Sequence, residues 1–266
     1  MNKDNPIGIF DSGIGGLTVA KAIRSILPHE SLLYFGDTKH LPYGEKSAYA
    51  VQEFSKNIAL FLKQKNCKMI VIACNTASSV AYETIKNECR DIEIVNVIDP
   101  IVKRVTTSIN TKTIGVIGTK GTINSDVYPQ KIKSINKNIS VKSLATPLLA
   151  AMIEEGFFND KISQAIVHNY LKDPILEGID KLILACTHYP LIHKTIRNFY
   201  SQEIDIIDSA SQVALYIKDV LTNKRLLAHQ IQKHRFYVSD YTLSFEKSAK
   251  FFFGEDIHLE EVSSIH

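Results

Sequence analysis

Short apolar runs alternate with longer amphipathic stretches along the whole chain, the pattern of strands buried in a parallel sheet with helices packed over it. Residues 7–10 read as the first strand and residues 17–27 as a helix stopped by Pro28. A second strand at 32–35 leads into a loop through Pro42-Tyr-Gly44 and a long helix over 47–65. The strand at 69–73 delivers Cys74, a helix runs on to Cys89, and a strand at 94–98 closes the series. The order then repeats, with strands near Ile114, Val141, Leu182 and Ile204 and helices between them, including the amphipathic stretch 162–171. Beyond Asp208, residues 210–221 read as a helix and 235–239 as a strand. Such a tail is too small for a third domain and is expected to pack back on the first half.

The repetition extends to the strand ends. Ile7-Gly-Ile-Phe-Asp-Ser-Gly13 has its counterpart in Ile114-Gly-Val-Ile-Gly-Thr-Lys120. Met69-Ile-Val-Ile-Ala-Cys74 is matched by Leu182-Ile-Leu-Ala-Cys186, and Ile98-Asp-Pro by Ile207-Asp-Ser. Leu33-Tyr-Phe-Gly-Asp-Thr38 pairs more faintly with Lys142-Ser-Leu-Ala-Thr-Pro147. Four strand ends in one order predict an α/β protein of two similar three-layer domains with mostly parallel sheets. Pseudo-twofold symmetry relates the two, and the site lies in the cleft between them. The expected domains are 1–98 plus 209–266, and 99–208, with a double hinge near residues 99 and 209.

Composition narrows the class. A hydrophobic share of 45% fits a soluble globule with a full core. No apolar run is long enough for a bilayer, and the start Met1-Asn-Lys-Asp-Asn-Pro6 lacks a signal-peptide core, so a cytoplasmic protein is expected. Thirty-one basic against 28 acidic residues, net +3, argue against nucleic acid as the main partner; Lys131, Lys133 and Lys137 read as a solvated helix face. The partner expected is a small-molecule substrate, with no membrane; a homodimer is left open. Four cysteines without a C-x-x-C pair suit reduced thiols.

In open α/β sheets, chemistry gathers beyond the carboxyl ends of strands, where Cys74 and Cys186 both stand. Facing thiols are what an enzyme needs to take a proton from one face of a carbon and return one to the other. Asn75-Thr-Ala-Ser78 can open a helix whose amides lower the Cys74 pKa and whose side chains serve a carboxylate. Cys67 and Cys89 are read as structural or merely exposed. Asp11-Ser-Gly-Ile-Gly-Gly16 is a weak dinucleotide motif, with Thr18 where the third glycine belongs and Asp11 placed to repel phosphate. It suits a small zwitterion better, with Asp11 near an ammonium or the cysteine and Ser12 as a donor. Thr119 and Thr122, in the counterpart turn, have hydroxyls for a carboxylate. His188 stands two residues past Cys186, where it can orient or protonate around that thiol. By sequence alone Glu154 and Asp37 read as surface acids or caps. A zinc site on Cys74, Cys186 and His188 has the atom types but no short ligand pair to anchor it.

Asp11-Ser-Gly-Ile-Gly-Gly16, Pro42-Tyr-Gly44, Ala73-Cys-Asn-Thr-Ala-Ser78 and Cys186-Thr-His-Tyr-Pro-Leu191 together resemble the glutamate racemase family, in its order and spacing across nearly the whole chain. The related aspartate racemases share the two-cysteine plan but typically place an acid after the second Cys-Thr, so His188 favours glutamate. The resemblance implies a cofactor-independent proton transfer with Cys74 and Cys186 as the acid/base pair, assisted by Asp11, Glu154 and His188. It places substrate contacts on Ser12, the Pro42-Tyr43-Gly44 turn, Asn75, Thr76, Thr119 and Thr187, with Asp37 as a further family acid. Its match is loosest at Glu154, where the adjacent Glu155 offers another register. It also implies that the product, D-glutamate, enters bacterial peptidoglycan. The rivals are an aspartate racemase, a Cys-His amidohydrolase with Cys74 as nucleophile and His188 as its base, and a non-catalytic amino-acid-binding protein.

Overall fold

In the computed structural model, which describes residues 2–108, 111–201, 203–230 and 233–262, the apolar runs form two parallel sheets. The first half contains β1 (Ile7–Asp11), α1 (Leu17–Ile26), β2 (Leu32–Gly36), α2 (Ala48–Gln64), β3 (Met69–Ile72), α3 (Asn75–Val80), α4 (Tyr82–Glu88) and β4 (Glu93–Asn96). After α5 (Ile98–Thr106) come β5 (Thr113–Gly118), α6 (Lys120–Asn124), α7 (Val127–Ile135), β6 (Ser140–Ala145), α8 (Pro147–Glu154), α9 (Lys161–Leu171), β7 (Lys181–Ala185), α10 (His193–Phe199) and β8 (Asp205–Asp208). The chain continues through α11 (Ser209–Asn223), β9 (Arg235–Val238), α12 (Leu243–Phe253) and β10 (Glu260–Glu261).

The strand orders are β10-β9-β2-β1-β3-β4 and β6-β5-β7-β8. Without the two tail strands they are the same arrangement twice: β1 and β5 are central, and β3 and β7, which lead to the two cysteines, lie beside them. The tail adds β9 in parallel to β2, pairing Leu33 with Arg235. One apolar cluster runs from α1 and β1 through α5 and α11 into the second sheet, and a separate one lies under α2 on the other face of the first sheet.

Three local readings change. The helix after Cys74 is broken at Ala81 into α3 and α4. The strand predicted over 94–98 stops at Asn96, because the Asn96 Oδ1 accepts from the amides of Ile98 and Asp99, both at 2.9 Å, and turns the chain into α5. The crossings near residues 99 and 209 fall in the first turns of α5 and α11, two helices packed on each other. Cys67 and Cys89 are both buried, which removes the reading of either as exposed.

Sequence pattern missed a buried ion pair. Lys68 and Glu30 are almost wholly enclosed and bridge each other. The Lys68 ammonium also donates to the carbonyls of Lys3 and Leu226, and the Ala228 amide donates to Glu30 Oε1 at 2.9 Å. The pair thus ties the start of the chain and the segment after α11 to the first sheet. Lys68→Met strands the Glu30 carboxylate and is expected to cost about 3–5 kcal/mol in urea unfolding. Lys68→Met/Glu30→Gln should recover most of that loss; an equal loss in both variants would mean that the charge is immaterial.

Candidate active site

Cys74 stands two residues beyond β3 and caps α3: its backbone is extended at φ −67° and ψ 125°, and its sulfur accepts from the Ala77 amide at 3.4 Å. Ser12 Oγ, from the turn after β1, lies 3.7 Å from the same sulfur. Cys186 follows β7 in the equivalent place, with its Sγ 3.5 Å from His188 Nδ1. His188 Nε2 in turn donates to Glu154 Oε1 at 2.7 Å. A chain Cys186–His188–Glu154 therefore runs from the thiol to the last residue of α8. Of the two adjacent glutamates it is Glu154, and not the exposed Glu155, that meets the histidine. The same geometry weighs against the hydrolase alternative, since His188 is hydrogen-bonded to Cys186 and Ser12 is the neighbour of Cys74.

Charge is expensive here because both cysteines and His188 are buried. Burial pushes the Cys74 thiol up to about 12, and the nearby Asp11 carboxylate adds to the rise; the Ala77 amide and Ser12 act the other way. The expected lowering by the helix start is thus overridden. Burial also raises the Asp11 carboxyl, against the charge of His188 and the amides of Gly16 and Gly13. For His188, burial opposes the cation, but Cys186 and Glu154 outweigh it and carry its pKa well above the usual histidine value.

Between the two thiols lies a cavity of about 200 Å³ lined by both halves. Ser12, Pro42, Tyr43, Gly44, Asn75 and Thr76 line it from the first half; Thr119, Thr187, His188 and Glu154 do so from the second. Asp11 and Thr122 stand behind this lining. Asp11 Oδ2 accepts from the amides of Gly16 at 3.0 Å and Gly13 at 3.3 Å, while its Oδ1 has no partner among the described residues. Thr122 closes a triangle of hydroxyls across the cleft, with Thr76 to Thr119 at 2.9 Å and each to Thr122 at 3.1 Å. Asp37 is not part of the cavity lining and holds the Tyr43 loop: the Tyr43 hydroxyl donates to it at 2.6 Å and the Ser239 hydroxyl at 2.7 Å.

Glycine is needed where the halves touch. A Cβ on Gly15 would stand 2.3 Å from His188 Cε1, and one on Gly44 would stand 2.7 Å from the Thr119 Cβ. Sequence reasoning overlooked Pro147, Ala150 and Ala151 of α8, which form an apolar wall beside Glu154. The signal was present, because Thr146-Pro147 directly follows β6 and so lies at another carboxyl strand end.

Residues 17–215 match the profile of the Asp/Glu/Hydantoin racemase family. The chain belongs to this family. As a member it is an amino-acid racemase, an isomerase. It is 39% identical over 250 residues to the glutamate racemase of Geobacter metallireducens, covering 93% of this chain and 92% of that one. The glutamate racemase of Streptococcus suis is 37% identical over 262 residues, with 97% and 98% covered. Among solved structures, glutamate racemase from Francisella tularensis in complex with D-glutamate superposes with a TM-score of 0.92 at 39% identity, covering 98% of each chain. An aspartate racemase homologue from Pyrococcus horikoshii shares the fold alone, with a TM-score of 0.58 at 20% identity over 82% of this chain and 99% of that one. Across the racemase family's matched segment lie both cysteines, His188 and Glu154; the Asp11 turn lies just before it.

Proposed function

We propose that the protein interconverts L- and D-glutamate by a two-base proton transfer between Cys74 and Cys186, without pyridoxal phosphate, metal or nucleotide. The observation that carries this reading is the placement of two thiols, from equivalent strand ends of two sheets, on one small cavity. Cys186 takes the α-proton of L-glutamate, with His188 Nδ1 beside it to exchange that proton, and Cys74 protonates the opposite face; the D-enantiomer runs the sequence backwards. The hard step is forming a carbanion beside an ionised carboxylate, so the site must neutralise that carboxylate with fixed donors and exclude water. Asn75, Thr76, Ser12, Thr119 and Thr187, with the Tyr43-Gly44 turn, supply the donors. Asp11, from behind the lining, favours the α-ammonium through its charge, and that ammonium, once beside Cys74, counteracts the rise caused by burial.

The rigid bodies of this reaction are 1–98 plus 209–266, and 99–208, with the first turns of α5 and α11 absorbing their relative motion. The D-glutamate formed supplies peptidoglycan synthesis from the cytoplasm. Among the described residues no helix is long and apolar enough to cross a membrane.

Turnover in D₂O tests the chemistry: deuterium is expected at Cα of the product, followed by circular dichroism and NMR, in protein dialysed free of cofactors. Retention of the Cα hydrogen, or activity that returns only with an added cofactor, would sink the reading. The same assay should give a higher kcat/KM for glutamate than for aspartate; equal or reversed values would point to the aspartate branch of the family.

A further inference from the structure

Tyr128, near the start of α7, lies outside the cavity lining, yet it crosses the cleft to meet a residue that belongs to it. Its hydroxyl donates to Asn75 Oδ1 at 2.8 Å. Tyr128 is 1% exposed and Asn75 2%. The other arm of that amide, Nδ2, is buried and has no partner among the described residues. A buried donor without an acceptor is costly, and in a residue that lines a substrate cavity it marks where an acceptor belongs.

An asparagine amide can present either its oxygen or its NH₂ group, and the two choices have opposite consequences for an anionic ligand. Were the amide turned over, its oxygen would stand in the place of the unpartnered NH₂ group and repel a carboxylate there, and the Tyr128 proton would lose its acceptor. With Oδ1 held by the phenol, the donor is left for the ligand. Burial raises the Tyr128 pKa, so the hydroxyl keeps its proton throughout the working range. The bond also joins α7 of one half to the residue following Cys74 in the other, so it forms only when the halves stand as they do here.

We propose that Tyr128 is a positioning residue that locks the Asn75 amide as a carboxylate donor, coupling the arrangement of the two halves to substrate recognition. It rests on the reading of the protein as a glutamate racemase, in which Asn75 meets a substrate carboxylate.

A double-mutant cycle on the full-length enzyme tests this. Tyr128→Phe keeps the ring and removes the hydroxyl; it is expected to raise KM for both L- and D-glutamate about tenfold, with kcat changed less than about threefold. Asn75→Ala should raise KM further. Adding Tyr128→Phe to Asn75→Ala should then change nothing more, because the group being positioned is gone. Asn75→Asp, which presents an oxygen where the donor stood, should bind glutamate more weakly than Asn75→Ala. Unchanged KM in Tyr128→Phe, independent additive effects of the two changes, or Asn75→Asp binding as well as Asn75→Ala would overturn the inference. A Tyr128→Phe protein that lost kcat and thermal stability together at constant KM would overturn it too, since that is the behaviour of a purely structural residue. Wild-type protein without glutamate turnover would bring down the racemase reading along with it, whereas normal wild-type turnover beside an uncoupled cycle removes only the role of Tyr128.

Discussion

Replacing Cys74 or Cys186 with Ala is expected to lower racemisation about a thousandfold or more in both directions, because the base for one direction is the acid for the other. Enantiomers are equally stable in water, so the kcat/KM values for L- and D-glutamate must fall together whichever thiol is removed. The asymmetry should appear instead in exchange of the α-proton with solvent. Cys74→Ala retains Cys186 and should still exchange the α-proton of L-glutamate, whereas Cys186→Ala should exchange that of D-glutamate. Both are measured by NMR in D₂O. Replacing Cys67, which packs beneath Gly8, or Cys89 should leave the rate nearly unchanged. A Cys186→Ala enzyme that raced on at the wild-type rate while Cys74→Ala was dead would exclude a two-base mechanism.

The second large effect belongs to the chain that ends at Glu154. His188→Asn removes the group that exchanges a proton with Cys186 and is expected to lower kcat/KM by about 10²–10³-fold. Its pH dependence has a definite sign. Because Cys186 and Glu154 overcome the opposing burial and raise the His188 pKa, the imidazolium persists above the ordinary histidine range. Its contribution is complete below the unfolded value of about 6.5 and is lost as pH rises through the higher folded value. Glu154→Gln removes one cause of the rise, so the alkaline limb of the kcat/KM profile should move to lower pH, while the acid limb stays in place. An alkaline limb that does not move would show that Glu154 has no part in holding the His188 proton. Stability should change in the same sense, with the variant's deficit complete at pH below its own lowered His188 pKa and shrinking through the window where His188 is charged only in the wild type.

Much of this protein was legible in its sequence because the relevant signals are local. A buried parallel strand needs only a few consecutive apolar residues, so the runs before Cys74 and Cys186 declared themselves, and their repetition predicted two sheets of one plan. The strand-end rule then placed the thiols, Asp11, Ser12 and His188 together without any tertiary information. What the tertiary structure decided are relations between side chains far apart in the chain. Glu154 and Glu155 are equivalent as letters, and only the packing of α8 against the turn Tyr189–Ile192 selects the one that reaches His188. Asp11 and Thr122 carry the right chemistry, but burial sets them behind the residues that line the cavity. The start of α3 promised a lowered Cys74 pKa, yet the local amides are outweighed by desolvation and by Asp11, quantities that exist only once the cleft is enclosed. Tyr128 and the Lys68–Glu30 pair left no trace in periodicity, since each acts through contacts between distant segments. Periodicity along a chain reports which face of an element is buried; which group meets it there depends on how the elements pack.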